Sequence, residues 1–371
     1  MLRYLQVENF KSLKMLAIPV ERLNLFFGMN GMGKSSAIQA LLLIRQSYWA
    51  WHDRSLMGLK INGDLVQLGT SSDILCQNAE QEELRFLLGF DHENQVDALY
   101  RYKGNILPAS VLKIWDLSKS LVPFAAEEAL FSEKFCYLAA EHIGPQNAYS
   151  AMQWEREGIN PLGNHGEYAV PFLAVEGEEF RVPEALCLET GKTNRLFDQV
   201  SAWMSEISPG VKIAARYIPF KEQAELDISY AGQRIESMRF SPVNVGFGIP
   251  YVLPLIIALL TSSAGTLIMI ENPESHLHPR GQSRIAELIA RASEQGAQII
   301  CESHSDHIIN GIRIAVKEGI AHCQNCSVVY FEKDNEQITK TTEIAIDKNG
   351  NLSDYPKGFL DEWGDQMAAL I

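Results

Sequence analysis

Long apolar runs, an excess of basic residues, clustered cysteines and internal repeats are all missing from this sequence. The longest apolar run, near Ile249–Leu260, falls short of the roughly 20 residues a helix needs to cross a bilayer, so no membrane span is expected. The opening MLRYLQVENF mixes polar and apolar residues and lacks the apolar core of a secretory signal. Acidic residues outnumber basic ones, 46 against 32, for a formal net charge of -14. A surface that tracks nucleic acid is usually basic, so direct DNA binding would need a local basic patch or a partner. Six cysteines are scattered along 371 residues. That suits reduced thiols and a cytoplasmic location better than a disulfide framework. Cys323 and Cys326 form a lone CxxC beside His322 and lack the second pair of a structural zinc site.

What is present is a globular composition, 46% hydrophobic and 21% charged, enough for a sizeable core. Short apolar runs at Leu2–Val7, Leu16–Val20 and Arg22–Phe27 read as strands. Alternating runs between Leu84 and Tyr102 suggest antiparallel strands, and Phe135–Ile143 reads as a buried strand. The stretch from Tyr149 to Gly191 is rich in Gly, Pro and Glu and is expected to be loops. Leu196–Ile207 predicts an amphipathic helix, followed by strands at Val211–Tyr217, Ala224–Tyr230 and Gln233–Phe240. The last third alternates helices (Pro250–Leu260, Pro279–Ser293, Asp306–Glu318) with strands (Thr266–Ile270, Gln298–Cys301, Val328–Lys333, Thr341–Ile346). Such alternation predicts an α/β core with a largely parallel sheet. An antiparallel sheet and an inserted α+β subdomain accompany it. The expected division is 1–70 for the first part of the core, 71–240 for antiparallel strands and insertion, and 241–371 for the rest of the core.

The first chemical signal is GMNGMGKSS at Gly28–Ser36. Gly28, Gly33, Lys34 and Ser35 match G-x-x-x-x-G-K-S/T, the phosphate-binding loop, between a strand and a helix. Glycines let backbone N–H groups approach phosphates, and the helix turns its positive end toward them. In that pattern Lys34 reaches the β- and γ-phosphates and Ser35 ligates Mg²⁺. Asn30, Gly31 and Ser36 add contacts or turn capacity. ATP and Mg²⁺ are thus the expected ligands.

A phosphate loop needs a second strand ending in a carboxylate, and TLIMIENPESHLHP supplies Glu271 at a strand end and Glu274 on the turn after it. The stretch resembles the Walker B region of the ABC/SMC/OLD group of ATPases, written D-E-P-E-x-H-L-H-P. Glu271 stands where the group usually has Asp, and Asn272 stands where its catalytic Glu sits. An amide cannot accept a proton as a carboxylate does. The resemblance therefore implies that Glu271 holds metal, and that either Glu274 activates water or turnover is slow.

NVGFGIPYVL from Asn244 is similar to the signature loop of ABC-type heads, without the usual L-S-G-G-Q. The resemblance implies that Asn244, Gly246 and Gly248 close over a γ-phosphate held by a second subunit; a plain turn before a core helix explains them too. In CESHSDHIIN, His304 resembles the switch histidine, suited to phosphate sensing, beside a helix cap at Ser305 or Asp306. His276, His278, His304 and His307 could alternatively mark a metal site. Weaker pieces are NFKS, which resembles the N-terminal strand-turn of SMC and RecF-like heads and would then set Phe10 and Lys11 near adenine, although a strand-end turn explains it equally; Gln67, a candidate metal-sensing glutamine or a plain turn residue before Gly69; and AEHIGPQ, which resembles a family segment that often carries Arg in place of His142. DYPKGFLDE, at Asp354–Glu362, resembles the tail motif of a domain of unknown function that completes AAA-annotated ATPases of this branch.

The resemblance implies an ABC-type ATPase head that dimerises on ATP and controls a separate effector, a nuclease or toxin, in defence against phage or foreign DNA. A RecF-like repair protein touching DNA directly and a low-turnover ATP-dependent scaffold are the alternatives.

Overall fold

A computed structural model describes residues 1–52, 58–101, 111–117, 127–151, 160–231 and 238–370. Most of the expected strand Gln233–Phe240 lies outside the described residues. The chain forms two compact units: Met1–Lys134 with Cys326–Ala345 and Leu352–Ile371, and Phe135–Asn325 with Ile346–Asn351.

In the first unit the chain runs through β1 (Leu2–Phe10), β2 (Leu13–Pro19), β3 (Leu23–Phe27), α1 (Lys34–His52), β4 (Gly58–Lys60), α2 (Ser71–Ile74), β5 (Glu83–Phe90), β6 (Gln95–Arg101) and β7 (Val111–Leu117). Six of these strands make an antiparallel sheet in the order β2-β1-β5-β6-β7-β4. Strict alternation in β5 buries every second residue, Leu84, Phe86, Leu88 and Phe90, as expected of a sheet with one covered face. By contrast all five residues of β3 are buried, the mark of a strand covered on both faces. Its one polar residue, Asn24, exchanges hydrogen bonds of 2.8 Å with both backbone groups of Glu21.

The second unit contributes β8 (Phe135–Leu138), β9 (Tyr149–Ser150), α3 (Ala169–Glu176), α4 (Leu196–Ile207), β10 (Val211–Ile218), β11 (Gln223–Tyr230), α5 (Gly248–Leu260), β12 (Leu267–Glu271), α6 (Pro279–Glu294), β13 (Gln298–Ser303) and α7 (Asp306–Lys317). β12 pairs in parallel with β13 on one side and β8 on the other. A small antiparallel sheet runs β10-β11-β9. Two sequence expectations need correction. The strand at Phe135–Ile143 stops at Leu138 because the chain then turns to bond elsewhere: Ala139 N–H donates to Asn164 and Ile143 N–H to His165. The stretch expected to be loops contains α3, whose Ala169, Val170, Pro171 and Leu173 are buried; packing overrides the local turn signals.

The long apolar run is a core helix. α5 is buried continuously from Ile249 to Leu260, as a helix apolar on all sides must be. No helix among the described residues is long and apolar enough to cross a membrane.

The chain returns to the first unit as β14 (Cys326–Lys333) and β15 (Thr339–Ala345), then α8 (Glu362–Leu370). β14 pairs in parallel with β3, setting Tyr330 beside Phe27, and antiparallel with β15. Phe27 packs edge-on against Phe359, 5.2 Å away, which also meets Tyr330 at 5.4 Å. Directly after β3, Gly28 has φ +142°, and a Cβ there would lie 2.4 Å from the Phe331 carbonyl oxygen. We expect Gly28→Ala to lower stability by about 2 kcal/mol, since the only relief is a backbone shift in a buried strand pair. Urea denaturation checks this, and an unchanged midpoint would contradict it.

Candidate functional site

The loop after β3 is a glycine-rich turn that feeds a helix. Gly28, Gly31 and Gly33 all have positive φ, at 142°, 77° and 107°, a region L side chains avoid. Asn30 and Gly31 are exposed at the tip, and Ser35 and Ser36 are half-buried in the first turn of α1. Lys34, only 2% exposed, folds its amine back across the loop and donates to the carbonyls of Gly28 and Met29, both at 2.8 Å. The first turn of α1 contains no acidic residue, so the positive helix end is not neutralised there by an intrahelical carboxylate. A buried ammonium, a helix N-terminus and three glycines at one turn form a cradle for an anion.

In the same unit, Gln67 is exposed and bridges Asn62 across a turn. The Asn62 side chain closes that turn by bonding both backbone groups of Gly69, at 2.7 and 3.0 Å. The expectation that Phe10 lies near adenine is overturned. Phe10 is fully buried, edge-on to Phe86 at 5.6 Å, because its position in β1 faces the sheet core. Lys11, at positive φ, bonds Gln39 of α1 at 2.6 Å.

In the second unit, Glu271 closes β12 and is 9% exposed. Its carboxylate accepts a 2.7 Å hydrogen bond from the Tyr137 hydroxyl on β8. Burial pushes the Glu271 carboxyl above its ordinary range, and the tyrosine bond pulls it part of the way back. Beside it in register on β13 stands Glu302, also buried. Tyr137 and Glu302 went unnoticed in the sequence. Only strand register, which one sequence does not print, brings them to Glu271.

The turn after β12 is held by its own polar groups. Asn272 takes a left-handed conformation, φ +51°, which Asn tolerates better than Glu, and its N–H donates to the Glu302 carbonyl at 2.9 Å. The Asn272 side-chain oxygen is buried with no hydrogen-bond partner among the described residues. Glu274 uses both oxygens: one accepts from the Ser303 hydroxyl at 2.9 Å, the other from the His304 N–H at 2.7 Å. This brings two expected residues, Glu274 and His304, together, though through the backbone of His304, whose side chain is exposed. Ser305 caps α7 by accepting from His307 N–H at 3.1 Å, and His278 caps α6 by accepting from Arg280 N–H at 3.3 Å. Among the described residues no cluster of His, Cys, Asp or Glu is arranged to hold a metal by itself.

Asn244 and Gly246 are exposed before α5, and the space around Gly246 is open. Gly248 is close-packed: a Cβ would lie 2.5 Å from the His276 carbonyl oxygen. The loop thus rests on the turn that carries Glu274, and Phe247 and Tyr251 flank His276 at 5.9 and 5.0 Å.

His142 is buried. Its Nδ1 lies 2.8 Å from the Tyr251 carbonyl oxygen, and its ring stacks on that tyrosine at 4.3 Å. Burial lowers its pKa from 6.5 to about 4, so at neutral pH it is an uncharged ring and cannot replace an arginine's charge. Because the folded pKa lies below the unfolded one, the stabilisation is complete above pH 6.5 and fades as pH falls toward 4. His142 alone should remove about 2 kcal/mol between pH 7 and pH 5. Denaturation midpoints at the two values, compared with those of His142→Gln, test this; equal pH dependence in the two proteins would refute it.

Residues 216–310 match the family described as "AAA domain, putative AbiEii toxin, Type IV TA system". Residues 323–370 match "Protein of unknown function (DUF3696)". No curated protein matches the chain. Among solved structures, the SmcHead bound to the C-winged helix domain of ScpA is similar at 14% identity and TM-score 0.53, over 93% of this chain and 98% of that one. The Smc head with an extended coiled coil, bound to the C-terminal domain of ScpA derived from Pyrococcus furiosus, is similar at 13% identity and TM-score 0.50, over 100% and 99%. The chain thus has the fold of an ABC/SMC-type P-loop ATPase head.

Proposed function

We propose that the protein binds ATP with Mg²⁺ and hydrolyses it slowly, acting as a dimerising head that controls a separate effector. The observation that carries the nucleotide reading is the turn at Gly28–Ser35. Its glycines allow backbone N–H groups to line an anion, and Lys34 adds a positive charge already desolvated by the fold. An anion there would compete with the Gly28 and Met29 carbonyls for the ammonium, and a triphosphate is the stronger partner because it is charged.

The hydroxyl of Ser35 and the carboxylate of Glu271 are hard oxygen donors of the kind Mg²⁺ takes. When bound, Mg²⁺ would neutralise charge on the β- and γ-phosphates. Gln67 remains a candidate for sensing the metal. Asn244, Gly246 and Gly248 are candidates for meeting a nucleotide held by a partner copy. Their exposed edge and the support of Gly248 on His276 favour that role. The proposed functional division is 1–70 for the cradle, 71–240 for strands and insertion, and 241–371 for signature, acidic strand end, His304 and tail.

Slow turnover follows from the acidic turn. Asn272 cannot serve as a base. Glu274 has both oxygens engaged by Ser303 and His304, which leaves only its remaining lone pairs for water. The same observation favours a second reading, a scaffold that ATP assembles with little hydrolysis. For the effector, the family description names a toxin of a toxin–antitoxin system, and the two similar Smc heads are each bound to a domain of ScpA. A head of this fold controlling a nuclease or toxin in defence against foreign DNA is consistent with both.

Binding of a fluorescent ATP analogue and phosphate release test the proposal together. Lys34→Ala should lose binding altogether. Glu274→Gln should bind as the parent does and release phosphate on the order of a hundredfold more slowly. A parent protein that binds no ATP would overturn the nucleotide reading. Equal background hydrolysis in parent and Glu274→Gln would leave the scaffold.

A further inference from the structure

We propose that Thr339, on β15 within the stretch matched by the family of unknown function, is a positioning residue that sets the phosphate loop for its ligand. The inference rests on the nucleotide reading above and gives that C-terminal stretch a task within it.

Thr339 is 2% exposed. Its hydroxyl lies 2.9 Å from the carbonyl oxygen of Met32, inside the glycine loop, and 2.8 Å from the hydroxyl of Ser12, in the turn between β1 and β2. A hydroxyl has one proton to give. The Met32 carbonyl can only accept, so Thr339 donates to Met32 and Ser12 donates to Thr339. The Thr339 backbone N–H also bonds the Ser12 carbonyl at 3.0 Å. Three segments far apart in sequence are thereby tied at one point: the β1–β2 turn, the phosphate loop and β15.

Peptide planarity turns this bond into a positioning device. The carbonyl of Met32 and the N–H of Gly33 belong to one trans peptide, so they point in opposite directions. Fixing the oxygen on Thr339 aims the Gly33 N–H away from Thr339, toward the side of the loop where an anion would be received. Gly33 must be glycine for the same reason. Its φ is +107°, and a Cβ would lie 2.5 Å from the Thr339 hydroxyl oxygen. The clamp and the glycine are two halves of one fit. Gly28 against the Phe331 carbonyl is a second such approach. Both ends of the glycine loop therefore rest on β14–β15, in the region 323–370.

A packing role predicts that a side chain of threonine's shape suffices; the clamp predicts that only a hydroxyl does. Thr339→Val keeps the shape and takes the hydroxyl donor from the half-buried Met32 carbonyl. It should weaken binding of a fluorescent ATP analogue about tenfold. It should also speed hydrogen exchange at the Gly33 and Lys34 amides in ligand-free protein. Thr339→Ser restores the hydroxyl and should return both readings to within about twofold of the parent. Thr339→Ala is carried alongside, with the same expectation as valine, so that the comparison survives if valine is not accommodated. Parent-like affinity and exchange in the valine and alanine variants would overturn the proposal, as would a serine variant as impaired as they are. If the parent binds no ATP, the nucleotide reading fails. The exchange comparison then still decides whether Thr339 holds the loop.

Discussion

The close approach of a glycine turn to its neighbouring strands is the constraint on which the rest of this structure depends. The turn after β3 comes so near β14 that no side-chain carbon fits at Gly28, and so near β15 that none fits at Gly33. Such contact fixes a backbone that would otherwise be the loosest in the protein, because glycine loses the most conformational freedom on folding. Other features of the first unit support that approach. β3 is buried throughout, β14 pairs with it in parallel, and Phe359 wedges its ring against Phe27 and Tyr330. The course of the glycine turn is therefore set by its neighbouring strands as much as by the loop sequence.

The acidic end of β12 shows the opposite economy. Polar groups are buried there against the preference of the medium, and the two carboxylates of Glu271 and Glu274 are held by neighbours. Glu271 takes a hydroxyl from Tyr137, and Glu274 takes one from Ser303 and an N–H from His304. Burial raises the affinity of Glu271 for its proton, so a nearby cation would be favoured strongly once the carboxylate is ionised. The Asn272 side-chain oxygen, buried without a hydrogen-bond partner among the described residues, adds a cost of its own.

The glycine pattern, the acidic strand end and the helix–strand alternation of the last third were legible in the sequence because each is local. The strand before Gly28, the helix after it, and the elements from α5 to β15 need only neighbours a few residues away to declare themselves. What was not legible is everything set by register or by distant contact. Tyr137 lies 134 positions from Glu271 and Thr339 lies 307 from Met32, and no period in either segment announces the pairing. The resemblance of NFKS to a family strand-turn suggests a ligand contact for Phe10, whereas sheet alternation sends its ring inward. α3 was hidden by flanking Gly, Pro and Glu, since its eight residues are stabilised by burial and their own turn signals argue against a helix.

This asymmetry bears on how the two family matches divide the chain. The stretch 216–310 holds the signature-like loop, Glu271, Glu274 and His304, residues whose chemistry is visible one by one. The stretch 323–370 adds a carbonyl, a hydroxyl and an aromatic wedge placed against the glycine turn. Its tail motif at Asp354–Glu362 is legible in the sequence, but contacts made through a strand's carbonyl are not, because almost any residue can supply one. A hydroxyl bond to a loop carbonyl is nonetheless demanding: it requires a short donor at one position and a glycine opposite it. Thr339 and Gly33 satisfy the two requirements together, and their pairing ties β15 to the most recognisable turn in the chain.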